Sequence, residues 1–283
     1  MLHDQSGGFG AMWSAGLLAV PEPEAEAWLG LALAACDEAD EIARSVFRRD
    51  LEVRTKPDRT YVTQADTAIE RLVRNRILAA FPDHGLVGEE YGIEAGEART
   101  RWYIDPIDGT HNFIRGVPVF GTLLAVEHAG ELQAAVVSAP ALHERWWARR
   151  GGGAWARSID DAAPRRIAVS SIASLDDAQV LFGSIVDLDR SGEAPGFRDL
   201  IASVWRERGL GDFWGYALLA EGAAEAMIEV DLSAWDVAAP LLLVEEAGGR
   251  VTDFHGRRAL DSGTFLATNG HLHDEVLATL RGT

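Results

Sequence analysis

Residues 101–113, RWYIDPIDGTHNF, set two aspartates, Asp105 and Asp108, three apart, with Pro106 between them and Gly109-Thr110 directly after. Carboxylates, carbonyls and water are the ligand set of hard divalent cations, above all Mg²⁺. Backbone N–H groups beside them suit a phosphate. A bare pair of aspartates at this spacing reads as a solvated turn, but the flanks argue otherwise. Trp102-Tyr103-Ile104 reads as a buried strand. Pro106 has no N–H for a ladder, which predicts the end of that strand. Gly109 permits a tight turn and close approach of a ligand to the backbone. Two carboxylates are thereby delivered to the mouth of a rigid strand.

Two further acidic segments share this character. GEE at 88–90 follows the apolar pair Leu86-Val87, so Glu89 and Glu90 also stand where a short strand ends. Adjacent glutamates are commonly just a solvated surface. In AWDVAAPLLLVEEAGG, 234–249, Asp236 opens a long apolar run of helical character closed by Gly248-Gly249, a helix C-terminal signal. Taken alone, Asp236 is a cap complementing the helix dipole. A cap that also faces two aspartates and a glutamate would serve as a metal ligand.

These residues need elements to hold them. The spacing of Leu29, Leu33, Cys36, Asp40 and Ala43 predicts a helix over 24–49. LEVRTKPDRTYVT, broken by Pro57, reads as a hairpin. Ile69, Leu72, Val73, Ile77 and Phe81 mark a second helix, stopped by Pro82. Strands are expected at 85–88, 101–105, 119–128, 131–138 and, as a hairpin, 144–156. Beyond RRIAVSS a strand near 180–184, helices near 195–208 and 214–224, a strand at 225–230, the helix at 235–247, two strands and a last helix follow. This order suggests stacked layers of sheet and helix, an α/β chain. Trp146, Trp147 and Trp155 could form a base-stacking platform, though sheet packing explains them better.

The motifs together resemble the inositol monophosphatase family of Mg²⁺-dependent, lithium-sensitive phosphatases. The family pattern of GEE, DPIDGTxNF and WDxAA with an AGG tail stands here at 88–90, 105–113, 235–239 and 247–249. The upstream T-x-x-D aspartate of the family is matched by Thr63 and Asp66. The resemblance runs from about residue 28 to the C-terminus. It implies a layered αβαβα sandwich of the inositol monophosphatase/fructose-bisphosphatase type. It also implies an α+β metal-binding half, taken as 23–163, and an α/β substrate-binding half, taken as 164–283; residues 1–22, running into the polar lead-in PEPEAEA, are expected to be a loosely held extension.

The resemblance also implies two or three Mg²⁺ per site. Glu89, Asp105 and the Ile107 carbonyl would hold the first, and Asp105, Asp108 and Asp236 the second. Acids with two residues between them can reach metals roughly 3.5–4 Å apart. Crowded carboxylates could not all stay ionised without cations. Thr110 would orient a water and donate to Asp66, and phosphate would lie on the N–H groups of Gly109 and Thr110. Residues 211–229 offer Asp212, Tyr216, Glu221 and Glu229, and the segments around 136–156 and 211–222 resemble the histidinol-phosphatase branch. Asp212 and Glu229 would meet the ammonium and imidazole of L-histidinol phosphate. Inositol 1-phosphate and other small phosphate esters are the alternatives. An acidic interaction module that has lost catalysis is the reading from another class. A homodimer is also implied.

Composition bounds the rest. A chain of 283 residues holds one large domain or two ordinary ones. The net charge of −18 argues against nucleic acid and anionic membrane as partners, but not against a phosphate substrate, since metal reverses the local sign. The single cysteine, Cys36, reads as a small core residue. It permits no internal disulfide and suits a reducing, cytoplasmic setting. Lys56 is the only lysine, the other basic residues being arginine, and this composition carries no mechanistic weight. The apolar stretch 11–20 is too short to span a bilayer and has no Lys or Arg before it; Met12 is an alternative start. Ser170 and Ser171 lack a suggestive His or Lys context, so no covalent nucleophile is expected.

Overall fold

The structure, a computed structural model, describes residues 20, 22–57, 60–94 and 99–282. Most of the extension expected over 1–22 lies outside them. The first part of the chain runs α1 (Glu22–Val46), β1 (Val53–Thr55), β2 (Tyr61–Thr63), α2 (Gln64–Ala80), β3 (Gly85–Gly88), β4 (Gly92–Glu94), β5 (Thr100–Asp108) and α3 (Thr110–Ile114). Strands β6 (Gly121–His128), β7 (Glu131–Ala139), β8 (Glu144–Arg149), β9 (Gly153–Ser158) and β10 (Arg165–Ile167) follow. The rest is β11 (Gln179–Phe182), α4 (Ile185–Ser191), α5 (Phe197–Ser203), β12 (Arg206–Arg208), α6 (Asp212–Ala220), β13 (Ala226–Val230), α7 (Ala234–Glu246), β14 (Arg250–Thr252), β15 (Thr264–Thr268) and α8 (His273–Arg281).

Strands β10-β9-β8-β7-β6-β5-β3-β4 make an eight-stranded sheet, and β12-β11-β13-β15-β14 a five-stranded one. Because side chains alternate along a strand, each sheet has two apolar faces. On the large sheet Leu86, Trp102, Ile104, Leu124 and Val136 pack on α1 and α2. Tyr103, Leu123, Ala125, Val137 and Trp146 face the opposite way, onto α6 and α7. The small sheet puts Leu181, Met227 and Phe265 on the other side of α6 and α7, and Val180, Ile228 and Leu266 on α4, α5 and α8. The layers are therefore helix, sheet, helix, sheet, helix, as the motif resemblance implies. No helix of the described residues is long and apolar enough to cross a membrane.

Several local expectations are corrected. β5 does not stop at Pro106 but runs to Asp108, with the register against β6 shifting between Asp105 and Asp108. At such a bulge the missing proline N–H costs no ladder bond. The Pro106 carbonyl is instead taken by Thr122 Oγ1 at 2.8 Å. The helix expected over 195–208 ends at Ser203, and Arg206–Arg208 adds as an edge strand parallel to β11. The helix expected over 214–224 is α6, which starts two residues earlier and ends at Ala220, with Gly222 at φ +78° reversing the chain. Trp146 is 3% exposed, in the core, and Trp147 pairs across the hairpin with Trp155, so the three do not form a common stacking face.

Candidate active site

The carboxylates singled out in the sequence motifs stand at or near the ends of elements, or at a bulge. Asp105 and Asp108 flank the β5 bulge. Glu89 and Glu90 follow β3, with the Glu89 N–H on the Ile104 carbonyl at 3.2 Å, beside Asp105. Asp66 and Asp236 occupy the first turns of α2 and α7, and Asp212 is the first residue of α6. Three helix N-termini, each carrying partial positive charge, thus accompany this acidic group.

Most of these side chains keep one oxygen on a fixed protein donor. Thr63 donates its N–H and hydroxyl to Asp66 Oδ2 at 2.8 and 2.5 Å. Ser233 N–H donates to Asp236 Oδ2 at 2.7 Å, and Phe213 N–H to Asp108 Oδ2 at 2.6 Å. Asp105 differs: its Oδ1 is buried with no hydrogen-bond partner. Thr110 Oγ1 donates to the Ile107 carbonyl at 2.9 Å and lies 3.4 Å from Asp66 Oδ1. Gly109 turns the chain at φ +79°; a Cβ there would meet the Val119 carbonyl at 3.0 Å and Asp212 Oδ2 at 3.4 Å.

The electrostatics are those of crowded, desolvated acids. Burial, then the charges of Glu89, Asp108, Asp236 and Asp66, hold Asp105 well above the usual carboxylate range. Asp108 is raised by burial and by Asp212 and Asp236, against the opposing Phe213 N–H. Burial pushes Asp236 up to about 7 and Asp66 to about 6, each against its capping bonds. Glu229 rises to about 8 through burial and the charge of Asp212. Glu90 rises to about 7, mainly by burial.

Sequence reasoning missed Lys56. From the β1–β2 hairpin its Nζ reaches Glu89 Oε1 at 2.8 Å and Glu90 Oε1 at 2.6 Å. The available signal was its being the lone lysine among many arginines, just before the T-x-x-D segment. The Phe213 N–H bond was also invisible, since it spans 105 residues. The second group of expected residues is only partly assembled. Asp212 Oδ2 accepts from Asn112 at 3.2 Å, and its N–H donates to Glu229 Oε1 at 3.0 Å. The Tyr216 hydroxyl is buried beside Glu229, and burial and that charge push its pKa up. Glu221 lies elsewhere, held by Trp146 Nε1 and by Arg165 at 2.5 and 2.8 Å.

The donors are oxygens throughout, which suits a hard divalent cation. The unpartnered Asp105 oxygen and the mutual repulsion of the acids fit the same group. As the side chains lie, no three His, Cys, Asp or Glu among the described residues converge closely enough to hold an ion; the Lys56 ammonium takes the glutamate side. No described group makes a nucleophile. Cys36 is fully buried, which pushes its thiol up, and Ser170 donates to Glu225 at 2.8 Å.

Residues 24–283 match the model of the inositol monophosphatase family. The chain is 48% identical to a histidinol-phosphatase of Mycobacterium tuberculosis, over 89% of its own length and 97% of the relative's. It is 45% identical to a histidinol-phosphatase of Streptomyces coelicolor, over 89% and 96% of the two chains. A solved Thermotoga maritima IMPase superposes with a TM-score of 0.80 at 33% identity, covering 90% of this chain and 97% of that one. The chain belongs to the inositol monophosphatase family and is a phosphoric monoester hydrolase.

Proposed function

We propose that this enzyme hydrolyses L-histidinol phosphate to L-histidinol and phosphate, with Mg²⁺ as its metal. The observation that carries the substrate is the pair Asp212 and Glu229. Among the described residues neither makes a salt bridge; burial raises both, against the charge of His111 at Asp212, and the Asp212 charge raises Glu229 further. An ammonium or imidazolium placed there would relieve both. The higher identity to the two histidinol-phosphatases than to the IMPase structure supports the same reading.

Glu89, Asp105 and the Ile107 carbonyl would hold one Mg²⁺, and Asp105, Asp108 and Asp236 a second. Bound Mg²⁺ supplies Lewis acidity that draws charge from the phosphate and the departing oxygen and acidifies water. The chain's own residues do the positioning. Thr110, pinned by the Ile107 carbonyl, aims its hydroxyl at the attacking water. Asp66, raised to about 6, titrates close enough to neutrality to accept a proton beside Thr110. The N–H groups of Gly109 and Thr110, at the head of α3, have no earlier turn to bond and take the phosphate. Water attacks phosphorus and gives its proton toward Asp66, the phosphorus–oxygen ester bond breaks, and the departing histidinol oxygen takes a proton from solvent. No covalent intermediate forms. The buried, unpaired Cys36 accords with a cytoplasmic setting. Ile93 and Trp205, 74% and 66% exposed, give apolar surface for a homodimer contact.

Kinetics on two substrates test the proposal. Asp212→Asn and Glu229→Gln should each raise KM for L-histidinol phosphate by an amount worth roughly 1–3 kcal/mol, the range for a hydrogen bond to a charged group. Hydrolysis of a small uncharged phosphate ester should fall far less. Equal losses on both substrates would reduce the acids to structural supports, and a wild-type preference for inositol 1-phosphate would move the substrate to the inositol class.

A further inference from the structure

Glu70 lies one turn beyond Asp66 on the same face of α2 and is 0% exposed. Its Oε2 accepts the N–H of Glu90 at 2.7 Å and its Oε1 the N–H of Tyr91 at 3.2 Å. Arg74 Nε, one turn further on, donates to the same Oε1 at 2.8 Å. Arg74 also donates to the Gly92 carbonyl and to Glu94, and its guanidinium stands 5.7 Å from the centre of the Tyr91 ring. Gly88 makes room for this: a Cβ there would come within 2.0 Å of Glu70 Oε1. The segment after β3 is thus gripped on both sides of the acids. Glu89 N–H is tied to β5 through the Ile104 carbonyl, and the next two N–H groups are tied to Glu70.

We propose that Glu70 is a positioning residue for the Glu89 and Glu90 carboxylates, acting through the backbone of 89–91 with Arg74 as its orienter. The inference rests on Glu89 being a metal ligand, as set out above. A buried ion pair is seldom maintained by net stability, because desolvation offsets most of the attraction. This pair spends its bonds on the loop that carries two acids. Three donors share the two Glu70 oxygens, so an amide at this position must leave at least one N–H unpaired and the loop free to drift. Outer partners of this kind typically change metal affinity 10–100-fold.

The test measures Mg²⁺ binding to the full chain by titration calorimetry without substrate, together with amide hydrogen exchange. Glu70→Gln should raise the Mg²⁺ Kd about tenfold or more and speed exchange at Glu90 and Tyr91. Gly88→Ala, which displaces Glu70 without removing its charge, should act in the same direction and serves if Glu70→Gln does not fold. Asp40→Asn disturbs a comparable buried pair, with Arg145 at 2.8 Å, and should lower the melting temperature with Mg²⁺ affinity unchanged. A foldable Glu70→Gln or Gly88→Ala that binds Mg²⁺ with wild-type affinity, while Glu89→Gln binds it weakly, would overturn the positioning role alone. Wild-type affinity in Glu89→Gln as well would overturn the ligand assignment and this inference with it.

Discussion

Asp105 is 2% exposed, yet one of its oxygens has no hydrogen-bond partner. A buried acceptor left unmade ordinarily costs about 1–3 kcal/mol, so its persistence at the meeting point of four other acids argues for a ligand that the protein does not supply. Asp105→Asn adds no bulk and removes one charge from between the proposed cations. It should keep the fold and the melting temperature of the metal-free protein, and lower kcat roughly hundredfold or more, about 2.7 kcal/mol of transition-state stabilisation. Steady-state assays at saturating Mg²⁺ check this; near-normal turnover would remove Asp105 from its bridging place. At this scale the motif residues were legible, because Asp105, Asp108, Glu89 and Asp236 each lie next to punctuation that sequence displays, a Pro, a Gly or the opening of an apolar run. Lys56, Glu70 and the Phe213 N–H were not, since their partners lie 33, 20 and 105 residues away and no local pattern marks such a pairing. Asp66 stood between these cases. It was placed through the family motif, and its capping box with Thr63 gives the local reason for its position.

The elements were read well where periodicity was long and poorly where it was short. The repeats behind α1, α2 and α7 gave helices within a few residues of those observed. β4, β10 and β12 are three-residue strands, too short for an alternation to show. Pro106 misled because the proline rule concerns ladder bonds, and the bulge makes none there. The head of α6 tests how tightly an element must be held. Glu229 accepts the Asp212 N–H there, and Gly183 and Gly211 leave it space. A Cβ on Gly211 would come within 2.8 Å of the Gly183 Cα and 2.9 Å of Glu229 Oε1. One contact is backbone, which cannot swing aside. Gly211→Ala should therefore cost about 1–3 kcal/mol of stability by overpacking and shift Asp212 off its bond with Asn112. The expected kinetic signature is a raised KM for L-histidinol phosphate that exceeds any loss in kcat, read alongside the melting temperature. A stability loss with KM unchanged would separate the α6 head from substrate binding.

On the scale of the whole molecule, five layers bring helices from both halves of the chain to the site, and the folded state of the metal-free protein must confine their acids. Asp66, Glu90, Asp236 and Glu229 titrate near 6, 7, 7 and 8, and Asp105 and Asp108 are also raised, against about 4 in an unfolded chain. The native state therefore binds more protons than the unfolded state between about pH 4 and 8. Stability from these groups is complete below the unfolded value and is lost as pH rises through the folded ones, at up to about 1.4 kcal/mol per pH unit for each group that is titrating. His273 opposes them. It is buried between the hydroxyls of Thr252 and Thr268, both at 2.9 Å, and burial lowers it to about 4, so its contribution is present above about 6.5 and lost as pH falls to about 4. His84, lowered mainly by burial, opposes them as well, but two imidazoles cannot reverse the sign set by six carboxyls. Metal-free protein should melt at progressively lower temperature from pH 5 to pH 8. Mg²⁺ held among these acids, as proposed, would bind only the folded site and neutralise them, so it should raise the melting temperature by an increment that grows over the same range. Thermal unfolding in chelator and in Mg²⁺ at four pH values measures both slopes. A metal-induced increment that is flat with pH would mean that the cation does not bind among these carboxylates.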